Sequence, residues 1–472
     1  MQFFKKLLFF LSPHEQKHAG VLLIMIIIMA LLEMIGVASI LPFMAVLTNP
    51  NIIETNNILS TMFQISGRFG VETNRDFLIF LGTLVFLTLI ISLTFKAFTL
   101  YIQTRFIFMR EYSIGKRLVE GYLHQPYTWF LSHHSAELGK NILSEVSVVI
   151  SNGMRPLIDL IAKVALMIAI ITLLVIVDPA LIFIVGLSLG CAYLLIFYLV
   201  RSYLFKIGEK RLKNNQLRFK AVSEAFGAAK EVKVGGLEKI FIRNFSNSAQ
   251  TYARSVASSQ VIAQLPRFIL EAVAFGGILL MILYKISQSV NFNDSLPIIS
   301  LYVFAGYRLM PALQQIYNSF AQLTFASPSI NKLYGDLSKL RPQNKNQDQN
   351  ILTFNKSIKL NHIYYNYPNT SRTALKDIDL TIPAKTTVGL IGTTGCGKTT
   401  TVDIILGLLE PQNGTLEVDG KVITEQNSRS WQRTIGYVPQ QIYLSDDTIM
   451  ANIAFGVEPK DINQSMINKV SK

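Results

Sequence analysis

Gly392-Thr393-Thr394-Gly395-Cys396-Gly397-Lys398-Thr399-Thr400 carries the chemistry most readily read from this chain. The spacing is that of a Walker A phosphate loop. An apolar run at residues 387–391 leads into it, and an apolar helix over residues 399–409 leads away. Strand, glycine turn and helix thus follow in the order such a loop needs. The glycines allow tight turns that aim several backbone N–H groups at a β-phosphate, and the helix N-terminus adds a favourable dipole. Lys398 is placed to bridge β- and γ-phosphates, and the Thr399 hydroxyl to ligate Mg²⁺. ATP and Mg²⁺ are the expected cofactors, with every residue of the loop a contact. Cys396 puts a thiol inside the loop. It reads either as a point where alkylation blocks nucleotide binding or as a small residue that merely fits.

Two residues outside the loop join the candidate site. Tyr367, before Pro368, can stack on adenine, although Tyr364 and Tyr365 are close by. Gln440 ends Ile435-Gly436-Tyr437-Val438-Pro439-Gln440 and can offer its amide to the metal or to the attacking water. A Gln after a Pro is as readily an ordinary loop residue. Lys398 and Gln440 are the candidate catalytic residues, Thr399 and Gln440 the candidate metal ligands.

The elements before the loop read as membrane. Of 472 residues 50% are hydrophobic and 16% charged, a balance that suits a bilayer protein better than a soluble one. The net charge of +14 does not call for nucleic acid. Lys and Arg cluster between the apolar runs, as cytoplasmic loops require. The two cysteines, Cys191 and Cys396, give no disulfide framework. Six apolar segments, residues 19–47, 77–101, 157–177, 181–200, 262–284 and 296–323, are long enough to span a core of ~30 Å. A tight turn is expected at Asp178-Pro179. Residues 103–156 and 201–260 are rich in Lys and Arg while residues 48–76 and 285–295 are not, which puts both termini inside.

No cleavable signal peptide is read at the start. Ser12 and Glu15 form a capping box with Pro13 at the first helical position. Residues 1–18 then read as an amphipathic elbow, or as the end of a longer helix. A short outer helix is expected at residues 58–64. Breaks around residues 127–139 and 227–236 can dock on a nucleotide domain or serve as plain hairpin turns. Residues 341–350 are polar and read as a linker. Beyond them, strands are expected at residues 357–360, 378–382, 387–391, 415–418 and 435–438.

Glu33, Lys96, Arg267, Glu271 and Arg308 lie within or near the spans, where charge is costly. Arg267 and Glu271 share a helix face. Lys96, Arg267 and Arg308 are candidate contacts for an anionic substrate, and each is also readable as a charge that snorkels or pairs internally.

Six spans, a linker, Tyr-Pro, a phosphate loop and Val-Pro-Gln, in that order, resemble an ABC exporter half-transporter along the whole chain. Residues 33–43 (EMIGVASILPF), 265–275 (LPRFILEAVAF), 307–311 (YRLMP) and 435–444 (IGYVPQQIYL), the last running on to 451–456 (ANIAFG), are similar to bacterial flippases for lipid-linked oligosaccharides in protein glycosylation. The resemblance implies an α-helical membrane domain of type I exporter fold with six transmembrane helices, plus a partial α/β P-loop nucleotide-binding domain. It implies a transmembrane domain at 1–340, a linker at 341–352 and the N-terminal, incomplete part of a nucleotide-binding domain at 353–472. Tyr367 becomes the adenine-stacking residue and Gln440 the Q-loop glutamine, while residues 127–140 and 224–233 become coupling regions. The implied protein, when full length, is a homodimeric transporter ATPase of the bacterial inner membrane. It flips a polyprenyl-pyrophosphate-linked glycan outward, with Arg308 attracting the pyrophosphate and the outer helix engaging the polyprenyl tail. The alternatives are another lipid, peptide or drug as cargo, or a membrane protein that binds ATP without hydrolysing it. No signature motif, Walker B carboxylate or switch His is present, and the family places these after the point where this chain ends. The expectation is a fragment of a longer protein rather than a degraded copy.

Overall fold

The computed structural model describes the backbone of residues 2–177, 179–287, 292–340, 351–368, 370, 372–440 and 442–471. The side chains of residues 177–189 and most of 269–308 lie outside that description. By internal contacts the chain divides into Met1–Gln125 with Phe130–Gln343, and Pro126–Trp129 with Asn344–Lys472.

The first unit is helical. It runs through α1 (Gln2–Phe9), α2 (Pro13–Ala38), α3 (Ile40–Thr48), α4 (Asn57–Ser66), α5 (Asn74–Leu123), α6 (Ser135–Lys140), α7 (Arg155–Val177), α8 (Pro179–Gly227), α9 (Glu238–Ser287) and α10 (Phe292–Lys339). The Ser12 hydroxyl accepts from the Glu15 N–H and the Glu15 carboxylate accepts from the Ser12 N–H, so the capping box closes and α1 stays separate from α2. The Asn56 side chain accepts from the N–H groups of Ile58 and Leu59 and starts α4, longer at both ends than the expected outer helix. Leu59 of α4 packs with Phe77 and Leu81 of α5.

The six apolar segments fall in α2–α3, α5, α7, α8, α9 and α10. Among the described residues Pro13–Thr48, Asn74–Leu123 and Ser135–Ile176 are long and apolar enough to cross a membrane. Ala30, Val37, Leu166, Ile170, Leu174 and Ala312 bury one seam of α2, α7 and α10. Ile24, Phe86 and Ile176 stay exposed on the outside, as helices that are apolar all round do when lipid surrounds them. The expected turn at Asp178 and the linker at residues 341–350 fall outside the described residues. Short helices, Tyr127–Phe130 and Ala229–Val234, lie in the two expected coupling stretches.

The second unit carries an antiparallel sheet of β1 (Ser357–Asn366), β2 (Thr373–Pro383), β3 (Asn413–Val418) and β4 (Lys421–Val422) in the order β2-β1-β3-β4. Leu360, Ile363, Leu375 and Leu416 of the sheet bury Ile404 of α11 (Lys398–Ile405). Three expected strands lie within β1, β2 and β3. The other two, at 387–391 and 435–438, form no regular element. A strand needs a neighbour for its N–H and C=O groups, and no described strand pairs with either. Ile391 is 99% and Val438 87% exposed. The helix expected to reach Leu409 stops at Ile405. Gly407 turns left-handed at φ +64°. Trp431 Nε1 and Gln432 Nε2, from α12 (Ser428–Gln432), donate to the carbonyls of Ile405 (2.7 Å) and Leu406 (3.2 Å) and so cap the helix end.

Candidate functional site

The phosphate loop is shaped by backbone that only glycine adopts freely. Gly395 and Gly397 sit at φ +83° and +96°. A Cβ at Gly397 would also lie 2.6 Å from Leu375 Cδ2 and 2.9 Å from the Ala374 carbonyl. The loop is thus seated directly on β2. α11 starts at Lys398 with no side-chain cap, which leaves its first N–H groups for a ligand. Lys398 Nζ donates to the carbonyls of Gly392 (2.8 Å) and Thr393 (2.9 Å) and lies 3.6 Å from Cys396 Sγ. Thr399 is exposed while Thr400 is buried. Thr401 Oγ1 donates to the Gly397 carbonyl at 3.0 Å, pinning the loop to the helix.

These residues fit MgATP. The uncapped N–H groups and an ammonium held over the loop by two carbonyls form one cationic cradle, with the exposed Thr399 hydroxyl beside it. A phosphate would exchange places with those carbonyls on Lys398.

Tyr367 is brought to the loop. Its hydroxyl lies 3.0 Å from Thr400 Oγ1, and its ring meets Tyr365 edge-on at 5.1 Å. Tyr365 itself is 3% exposed in the core, which removes it as a stacking surface. Gln440 is exposed and makes no hydrogen bond to the loop among the described residues. Pro126–Trp129 cluster with this unit. Burial raises the Tyr127 phenol above its usual pKa, and Asp403, Tyr437 and Tyr367 add to the effect. The sequence marked this stretch by its aromatic run but not the electrostatic effect on it of Asp403, Tyr437 and Tyr367. It also missed Asp403, whose carboxyl is raised by burial and for which position in α11 was the only signal.

The candidate substrate charges are arranged differently. Lys96 Nζ lies 2.6 Å from Glu33 Oε1, a side chain 1% exposed, so its charge is met inside the protein. Arg267 Nε donates to Glu271 Oε1 at 2.7 Å, the four-residue spacing placing both on one face. The Arg308 side chain lies outside the described residues.

Away from the loop, His362 Nδ1 donates to Asp377 Oδ1 at 2.8 Å and lies 3.2 Å from Asp379 Oδ2. The hydrogen bond to Asp377 and then the charges of Asp379 and Asp377 raise the imidazole pKa. A raised folded-state pKa gives stability that is full below the unfolded value of about 6.5 and is lost as pH rises through the folded value. His362→Ala is therefore expected to lower the melting temperature more at about pH 5.5 than at about pH 8.5. Equal losses at both would show that the pair contributes nothing.

Residues 18–307 match the family model described as the ABC transporter transmembrane region, and residues 375–471 the one described as ABC transporter. The chain belongs to the ABC transporter family. It is 24% identical over 349 residues to the ATP-dependent lipid A-core flippase of Burkholderia thailandensis, covering 73% of this chain and 58% of that protein. It is 23% identical over 446 residues to the pediocin PA-1 transport/processing ATP-binding protein PedD of Pediococcus acidilactici, covering 89% of this chain and 59% of that protein. The chain thus spans about three fifths of the length of these curated relatives. A bacterial Atm1-family ABC exporter solved with ATP bound superposes at a TM-score of 0.71 and 15% identity, over 97% of this chain and 76% of that one. The ABC transporter chain has the type I exporter fold. Its helical transmembrane domain is joined to nucleotide-binding-domain sequence built on a small antiparallel sheet.

In this ABC chain Cys396 is exposed and close to the Lys398 ammonium. A maleimide is expected to label it and to block nucleotide binding, with MgATP protecting. Equal labelling with and without MgATP would place the thiol away from the nucleotide.

Proposed function

We propose that the chain binds MgATP at residues 392–400 and acts, as a homodimer, in ATP-driven export across the bacterial inner membrane. The observation that carries this is the phosphate loop, open at an uncapped helix N-terminus with Lys398 held over it. Lys398 would neutralise the β- and γ-phosphates, Thr399 would hold Mg²⁺, and Tyr367 would support the adenine. Gln440 would reach the metal after movement of its exposed segment. MgATP supplies the free energy when bound. The domain division proposed is 1–340, 341–352 and 353–472, with both termini cytoplasmic.

The proposed cargo is a polyprenyl-pyrophosphate-linked oligosaccharide. Residues 33–43, 265–275 and 307–311 support it, as does similarity to flippases whose name gives a lipid as cargo. Lys96 and Arg267 already have carboxylate partners, which leaves Arg308 as the charge proposed to meet pyrophosphate. Arg308→Ala is expected to cut translocation of a fluorescent polyprenyl-pyrophosphate glycan in proteoliposomes about tenfold or more, the worth of a charged hydrogen bond. MgATP affinity should not change. Unchanged translocation would remove Arg308 from that role. A second reading, export of a peptide, is favoured by the name of the pediocin relative. Stimulation of ATP hydrolysis by a peptide and not by the lipid-linked glycan would select it.

A further inference from the structure

Between α6 and α7 the helix is not regular. It contains two π-turns, Asn141–Glu145 and Ile150–Met154. A π-turn holds one residue more than the α-helical turn it replaces, and such turns recur at functional positions. The first lies between two polar clusters of different character.

On one side is an anchor. Arg211 Nη1 of α8 donates to Glu145 Oε2 at 2.6 Å and to Ser329 Oγ of α10 at 3.1 Å. Asn215 Nδ2 donates to Glu145 Oε1 at 2.7 Å. The Glu145 and Arg211 side chains are 0% and 2% exposed. Such a pair is hard to open, because either charge left alone would stay buried.

On the other side is a looser set. Lys332 Nζ of α10 lies 3.2 Å from Glu137 Oε1 and 3.3 Å from Asp336 Oδ1, with Lys332 38% exposed. Asn141 Nδ2 donates to Asp336 Oδ2 at 3.0 Å. Water reaches Lys332, Glu137 and Asp336, whose side chains are 38%, 20% and 21% exposed, so their ion pairs are weaker than the anchor's, while Asn141 beside them is buried. Two buried polar atoms, Asn141 Oδ1 and Arg211 Nη2, have no partner among the described residues. A network with a spare acceptor and a spare donor is not the fully satisfied kind that fixes one arrangement.

We propose that the Asn141–Glu145 π-turn is a hinge, with Glu145–Arg211–Asn215 as its fixed anchor and Glu137–Lys332–Asp336–Asn141 as its releasable latch. Converting the turn to α-helix rotates α6 by about 100° and shifts it by about 1.5 Å relative to Glu145. Glu137 and Asn141 then leave the α10 face, while the anchor holds. α6 follows in sequence the stretch that clusters with the second unit, so along the chain it is the first of these helices that a nucleotide-driven motion would reach. That last step rests on the proposed function.

The test uses spin labels at Ser135→Cys and Ser338→Cys, both exposed positions, in the full chain carrying Cys191→Ser and Cys396→Ser. Distances are measured by double electron–electron resonance in nanodiscs, and MgATP binding by dialysis of the same samples. The expected result is one dominant distance without nucleotide and a second, displaced by about 5 Å or more, that grows with MgATP; the displacement follows from rotating a helix about 10 Å across. Lys332→Ala, which breaks only the latch, should populate the second distance without nucleotide. Deleting Leu143, 74% exposed within the π-turn, should make it dominant. A single unchanged distance in the wild type with MgATP bound and in Lys332→Ala would overturn the hinge. If MgATP binds neither these samples nor the chain that keeps Cys396, the nucleotide reading fails, and Lys332→Ala alone decides the hinge: a second distance supports it, a single one overturns it.

Discussion

Arg211→Ala is expected to destabilise the helical unit by about 3–5 kcal/mol, the cost of stranding one member of a buried ion pair. The Glu145 carboxylate would keep Asn215 at 2.7 Å but lose its cation. The contact of Arg211 with the Tyr252 ring, 5.3 Å away, would also go. Glu145→Gln with Arg211→Met removes both charges at similar volume, and its loss should be much smaller, because neither partner is left charged in the interior. Denaturant or thermal unfolding of the purified chain measures both. Equal losses for Arg211→Ala and the double variant would mean that packing, not charge, is what Arg211 supplies.

Lys398→Ala is expected to weaken MgATP binding by about tenfold to a hundredfold, since a hydrogen bond to a charged group is worth about 1.5–3 kcal/mol. Folding should be little affected. Among the described residues the ammonium bonds only to carbonyls of its own loop, Gly392 and Thr393, and to the Cys396 thiol. Equilibrium dialysis with labelled nucleotide checks the affinity. Retained affinity in the variant would place the nucleotide elsewhere.

The parts of this molecule that were legible in sequence are those whose cause is local. Ser12, Pro13 and Glu15 announce a helix start because a capping box closes within one turn. Apolar runs announce long helices because a bilayer demands length and leaves no other choice for the backbone. Gly395 and Gly397 announce the loop because their backbone angles exclude other residues. Residues 387–391 and 435–438 misled for the opposite reason. Their apolar character satisfies a strand's side chains, but a strand exists only with a neighbour, and that is not a local property. The helix end at Ile405 was missed likewise, since it is capped by Trp431 and Gln432 from a later helix.

The site shows the same division. Lys398 and Thr399 follow from spacing alone. That Lys96 meets Glu33 depends on two helices passing side by side, which no spacing within either one encodes. The Glu145–Arg211–Asn215 cluster was invisible for that reason too. Arg211 reads in sequence as one of many cytoplasmic basic residues, yet its side chain is among the most deeply buried.

The most direct test of the account is translocation. The protein would be purified, reconstituted in proteoliposomes with a fluorescent polyprenyl-pyrophosphate glycan, and followed with MgATP, without it, and as Lys398→Ala. The account predicts outward movement that needs MgATP and that falls steeply in Lys398→Ala at a nucleotide concentration just saturating for the unaltered protein. Movement that is the same without nucleotide, or no movement of the glycan while a peptide is exported, would contradict it.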